Sequence, residues 1–135
     1  MRVIDGTNQP MGRLAAYVAK QSMKGEEIAI VNCDEVIITG RKKDIEKDFH
    51  EKRSRVGTGQ KGPKHKRVSK DMVKRAIRGM LPDHRAGRGR QAWKRIWGYN
   101  QVPKELEGEK IEKIEIDKRK KFKYSKVKEF TKWQK

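Results

Sequence analysis

Cysteine is almost missing from this chain of 135 residues: Cys33 stands alone. An internal disulfide is therefore excluded, and at most one thiolate could serve a metal. Histidine is nearly as sparse. His50, His65 and His84 lie far apart, without the short paired spacings that hold zinc, so neither a metal site nor a cofactor is expected. Cys33 follows an apolar run and has no histidine close in sequence to activate it, which makes it a packing residue rather than a nucleophile. No stretch approaches the roughly 20 apolar residues of a spanning helix, and no apolar signal run follows Met1. The expectation is a cytoplasmic protein with no membrane partner.

Apolar residues are also scarce, at 33% of the chain against 40% charged, so the core must be small and much of the surface must face water or a partner. The length suits a single domain over residues 1–135. Acidic residues number 18 against 36 basic ones, a net charge of +18. Self-repulsion of that size favours a polyanion, and nucleic acid is the first candidate.

The excess is not evenly spread. Residues 1–52 are balanced, residues 53–104 carry a net +14 with Asp71 and Asp83 as their only acids, and residues 105–135 carry +4. A charge that served solubility alone would not leave one third neutral, so the middle third is the expected anion-binding region and the last a basic extension. From Arg75 to Arg95 the cation is mostly arginine, whose fork suits phosphate and whose plane stacks on bases.

Periodicity predicts the elements. Val3, Ile4 and Asp5 read as a strand, and Pro10 suits the first position of a helix. Met11, Leu14, Ala15, Val18 and Ser22 form its stripe, with Gly25 just past its end. Residues 27–31 and 36–39 read as strands, so strand, helix and strand resemble a right-handed βαβ unit with a parallel sheet. Residues 41–53 suggest a helix that touches the core only through Ile45 and Phe49. Residues 55–67, with Gly57, Gly59, Gly62 and Pro63 among cations, should be a long basic loop with little to offset the entropy of ordering it without a partner. Ser69 is the expected N-cap of a helix reaching Leu81, stopped by Pro82, with Val73, Ala76, Ile77 and Met80 inward. After the turn Ala86-Gly87-Arg88-Gly89-Arg90, a second short helix should carry Ala92, Trp93, Ile96 and Trp97. Residues 110–117 suggest a last strand, and Ser125 a cap for a final helix docking through Val127, Phe130 and Trp133.

Three motifs invite functional readings. Gly57-Thr58-Gly59-Gln60-Lys61-Gly62-Pro63-Lys64 resembles a P-loop, but Pro63 and Lys64 stand where Lys must be followed by Ser or Thr, and no apolar strand precedes it. Trp93, Trp97 and Tyr99 lie among Arg90, Lys94 and Arg95, a pattern that serves core packing first and base stacking, through Trp97 or Tyr99, second. The acidic clusters lack a proton-transfer partner and read as solvated surface. No enzyme, and no small-molecule substrate, is expected.

Gly12-Arg13-Leu14-Ala15, Val18-Ala19-Lys20, Gly25-Glu26, Ile30-Val31-Asn32 and Ile38-Thr39-Gly40, together with Arg78-Gly79-Met80-Leu81-Pro82 and then Arg88-Gly89, resemble the universal large-subunit ribosomal protein family L-thirteen. The resemblance spans roughly residues 2–103, and Lys61-Gly62-Pro63 resembles its archaeal and eukaryotic branch. At the end of that span the chain has Trp97-Gly98-Tyr99-Asn100-Gln101-Val102-Pro103 where the family usually runs through a more hydrophobic Val-Tyr strand. The resemblance implies an α/β fold in three layers, a mostly parallel sheet of about four strands flanked by helices. It also implies a structural part of the large subunit that binds ribosomal RNA, sits beside other ribosomal proteins and supports assembly and translation.

On that reading the balanced core presents its cations to RNA backbone. They are Arg53, Arg55, Lys61, Lys64, Lys66 and Arg67 in and around the loop, then Lys74, Arg75 and Arg78 on the helix after it. Arg85, Arg88, Arg90, Lys94 and Arg95 follow in the turn and second helix. Gly62, Gly87 and Gly89 would let backbone approach where a side chain collides. A free-standing protein that coats duplex DNA or messenger RNA fits the charge equally well.

Overall fold

In the computed structural model, which describes residues 1–55, 57, 65–114 and 123–131, strand β1 (Arg2–Asp5) leads through Pro10 into helix α1 (Met11–Met23) and back through strand β2 (Ile28–Val31). Pro10 stands one position earlier than expected. It is the N-cap, with φ −62°, and its carbonyl accepts from the Leu14 N–H at 3.0 Å. Leu14, Ala15, Val18, Ala19 and Ser22 form the buried stripe of α1. Gly25 follows the helix at φ +105°, a left-handed conformation that glycine adopts at low cost. β1 and β2 run parallel with Arg2 opposite Ile28 and Asp5 opposite Val31, which is the βαβ unit predicted.

The parallel sheet has four strands in the order β4-β2-β1-β5, where β4 is Ile96–Gly98 and β5 is Ile111–Glu112. Its membership differs from the sequence reading in one strand. The run expected as the second helix divides: helix α4 (Gly87–Lys94) keeps Ala92 and Trp93, while Ile96 and Trp97 pair with Ile28 and Ala29 in the sheet. Short apolar runs fit either period, and here the unpaired edge of β2 decides. The last strand is also shorter than expected: β5 has two residues, and residues 115–117 of the predicted strand lie outside the described residues.

Strand β3 (Ile37–Thr39) leaves the sheet after a 3-10 turn at Cys33–Glu35. It pairs antiparallel with β6 (Tyr124–Lys126), Ile37 opposite Lys126. Ser125 is thus a strand residue and not a cap, and the final helix is a 3-10 turn, Val127–Phe130, whose Val127 and Phe130 are buried as expected. Trp133 is outside the described residues.

Helix α2 (Lys42–Ser54) buries nothing fully, and Ile45 and Phe49 are its half-buried contacts; the Phe49 ring stacks on Phe130 with centroids 5.5 Å apart. Helix α3 (Ser69–Met80) buries Met72, Val73 and Ile77. Ser69 begins this helix instead of capping it: Val68 is the N-cap, and the buried Ser69 hydroxyl has no partner among the described residues. Leu81 leaves the helix at ψ 147°, just before Pro82.

Alternation along the strands sorts the core into two faces. Ile4, Ile28, Ile30 and Ile96 point toward α1, α3 and α4, while Val3, Ala29 and Val31 meet Leu106 with Trp97, Tyr99 and Val102. The second face is covered by residues 99–106, including a 3-10 turn at Lys104–Leu106. Helices, sheet and this returning segment make the three layers of an α/β fold.

Candidate nucleic-acid interface

Helix α3 has two chemically distinct sides. Its inward side is apolar; on the outward side Asp71, Lys74, Arg75 and Arg78 recur at three- and four-residue intervals and so stand in one row. With Lys66 and Trp93 this row lines a cleft of about 140 Å³. The Lys74 ammonium lies over the Trp93 ring, 4.9 Å from its centroid. Burial and the neighbouring Lys70 hold the Lys74 ammonium below the ordinary lysine range, with Asp71 pulling the other way.

A second hollow, about 720 Å³, lies between α2 and α3 and shares Lys66 and Arg75 with the first. Its floor includes Ile45, Phe49, Met72 and Ala76. His65 sits there too, kept below the usual histidine range by burial and by Arg75, Lys52, Arg53 and Arg55. A dense positive potential therefore surrounds the end of α2 and the middle of α3.

The predicted site residues fare differently. Lys66, Lys74, Arg75 and Arg78 are brought together in the cleft. Arg85, Arg88, Arg90 and Lys94 are exposed along the turn before α4 and on α4 itself, and Arg67 is exposed just before α3. Arg95 is half-buried at the junction of α4 and β4, where its carbonyl accepts from Ile28 N–H at 2.8 Å. Lys61, Gly62 and Lys64, and most of the expected loop 55–67, lie outside the described residues.

Arg53 is committed inside the protein. Its Nη1 donates to the Phe130 carbonyl at 2.9 Å and its Nη2 to that of Lys66 at 3.4 Å, while the guanidinium carbon stands 5.2 Å from the Phe49 ring centroid. Burial, then Arg67, lowers its pKa from the usual arginine range. Arg55 pairs with Glu51 at 3.0 Å, an exposed bond that an incoming phosphate can replace at little cost.

Gly87 has φ +54° and open space where a Cβ would stand. Gly89 is different: it is buried, and its missing Cβ leaves room for the Pro82 and Asp83 carbonyls of the same chain. The aromatics divide likewise. Trp97 and Tyr99, the sequence-based candidates for stacking, pack on the far face of the sheet with Leu106, and Trp93 is the ring beside the cations. Sequence reasoning missed Trp93 because its neighbours in space, Lys66 and Lys74, are distant in sequence.

Other chemistries find little footing. Among the described residues no three His, Cys, Asp or Glu side chains converge as a metal site. Burial pushes the Cys33 thiol up to about 12, so it stays protonated near neutrality. Among the described residues no helix is long and apolar enough to cross a membrane.

The sequence model of the family described as Ribosomal protein L13 matches residues 1–105. The large ribosomal subunit protein uL13 of Thermoplasma volcanium is 41% identical over 115 residues, covering 85% of this chain and 83% of its own. That of Archaeoglobus fulgidus is 41% identical, covering 84% and 71%, and that of Methanocaldococcus jannaschii is 43% identical, covering 78% and 79%. By the extent of the family match and the identity to these relatives, the chain belongs to the ribosomal protein L13 family.

Proposed function

We propose that this chain is a structural constituent of the large ribosomal subunit, holding ribosomal RNA by the cationic side of α3 and by the turn and helix that follow, and that it catalyses no reaction. The observation that carries the interface is the convergence of Lys66, Lys74, Arg75 and Arg78 in one cleft on a helix whose other side is core. Phosphates account for most of the affinity of such a surface, while geometry decides where it sits.

Residues 1–135 act as one unit on this reading: 1–52 supply the scaffold, 53–104 the RNA face, and 105–135 the extension that closes the second sheet. RNA helices are read by shape and backbone, since the deep major groove of A-form RNA excludes side chains. Its partners are large-subunit ribosomal RNA and the ribosomal proteins beside it, which places it in the ribosome. Cofactors and small-molecule substrates have no part in this function.

Sedimentation tests it. After a moderate salt wash the protein should remain with large subunits and be absent from free nucleic acid. Recovery with chromosomal DNA or messenger RNA instead would favour the coating protein and sink the ribosomal reading.

A further inference from the structure

The cleft between α3, Lys66 and Trp93 differs from an exposed basic surface in being concave. Its lining sets Lys66, Lys74, Arg75 and Arg78 around one carboxylate, Asp71. Among the described residues, neither Lys74 nor Arg78 forms an ion pair. Lys74 is half-buried, and its ammonium has exchanged part of its water for the face of Trp93. A cation so placed gains strongly from an anion that reaches it, because partial desolvation strengthens the attraction.

Size and donor geometry narrow the ligand. The hollow has a volume of about 140 Å³ and opens to solvent on one side. That accommodates a small tetrahedral anion. The Arg78 fork and the ammonium groups of Lys66 and Lys74 offer donors from several directions, which suits oxygens arranged tetrahedrally; a planar carboxylate is satisfied by one fork.

We propose that this cleft is a seat for one phosphate group of the RNA backbone, inserted between Lys74 and Arg78 while neighbouring phosphates lie on the open surface. The proposal rests on the RNA-binding reading above and adds a single anchoring point to it. Phosphate entry draws the Lys74 ammonium off the Trp93 ring, so the ring reports occupancy. Asp71, one turn before Lys74, limits the repulsion among the four cations when the seat is empty.

The test titrates the full chain with inorganic phosphate at constant ionic strength and follows tryptophan fluorescence. A saturable change is expected, lost in Trp93→Phe, weakened in Lys74→Met and in Arg78→Gln, and unaltered in Lys20→Met, which removes the same charge from the exposed side of α1. In parallel, Lys74→Met should raise the Kd for a large-subunit RNA fragment on the order of tenfold, the size expected for a charge-assisted bond. A signal that follows ionic strength alone, or one that survives both cleft substitutions, overturns the proposal. So does saturation by a glutamate-rich peptide and not by phosphate, which would assign the cleft to a protein partner. Loss of the phosphate response with RNA affinity intact removes the seat and leaves the RNA reading standing. An intact phosphate response without RNA affinity removes the RNA reading, and with it the assignment to RNA backbone.

Discussion

Gly89 packs so closely on Pro82 that a Cβ there would stand 2.3 Å from the Pro82 carbonyl oxygen, and 2.4 Å from that of Asp83. Backbone oxygens cannot move aside as a flexible side chain can. Gly89→Ala should therefore destabilise the fold by about 1–3 kcal/mol despite the better helix propensity of alanine. Thermal unfolding checks it, with a midpoint several degrees lower. Gly87→Ala, strained only by its positive φ, should cost about 1–2 kcal/mol.

Arg53 ties α2 to two other segments through the carbonyls of Lys66 and Phe130. Arg53→Ala leaves both acceptors without this donor and should cost about 1–3 kcal/mol. Faster hydrogen exchange around residues 124–130 should accompany the loss. Arg53→Lys should recover little, because a single ammonium lacks the fork that reaches two carbonyls. An RNA-affinity loss with unchanged stability would show that Arg53 serves RNA instead.

If about 8 phosphates are neutralised, log affinity for a large-subunit RNA fragment should fall with log salt with a slope on the order of −6 to −7. Arg78→Ala, Arg88→Ala and Arg90→Ala should each weaken binding and flatten that slope. Glu107→Ala, on the far side of the sequence's charge divide, should change neither. Equal effects at all four positions would argue against a localised face.

Asp5 is buried, which alone would raise its pKa, but Thr7 and Asn32 hydrogen bonds and the Lys113 charge outweigh burial and hold it below the usual aspartate value. Thr7 Oγ1 and Asn32 Nδ2 donate to its Oδ1 at 2.6 and 3.0 Å. A depressed folded-state pKa gives stability that is present above the unfolded value, near 3.8, and is lost as pH falls through the folded one. Glu35, held down by Lys126 and Lys128, and Glu129, held down by Lys42, add losses in the same acid range. Asp5→Asn should lower stability at neutral pH and flatten the acid limb of unfolding midpoints measured from pH 7 to 2.

Cys33 should resist alkylation in the folded protein, since its thiol is buried and raised to about 12. Its labelling rate by a maleimide should follow the unfolded fraction as urea is added. Fast labelling in buffer would show a reactive, exposed thiol and contradict the packing assigned here.

The elements that sequence displays well are those whose partners lie close in the chain. β1, α1 and β2 follow from a strand pattern, a helical stripe and a turn, and α3 from the spacing of Val73, Ala76 and Ile77 against its cations, although Met80, expected inward, is exposed and Met72 is buried in addition. β4 was hidden because Ala92 to Ile96 and Trp93 to Trp97 are both helical spacings, and only pairing with Ile28 and Ala29 makes Ile96 and Trp97 a strand. β6 is polar and short, so its pairing with β3 left no pattern to read. In the candidate site, the row on α3 was visible as periodicity. The commitment of Arg53 to two carbonyls was not, because charge in a sequence does not say what it already holds.

The distance along the chain between β3 and β6 sets an order of maturation. A chain made from its N terminus can pair β1, β2 and β4 and close α1, α3 and α4 over Ile4, Ile28 and Ile30 once residue 98 is available. β3 and the Phe49 face of α2 must wait for Ser125, Val127 and Phe130. The cationic row on α3 is thus built in the first stage. The late-arriving clasp then fixes α2 beside it, so that a nascent molecule could meet RNA before its own last strand is in place.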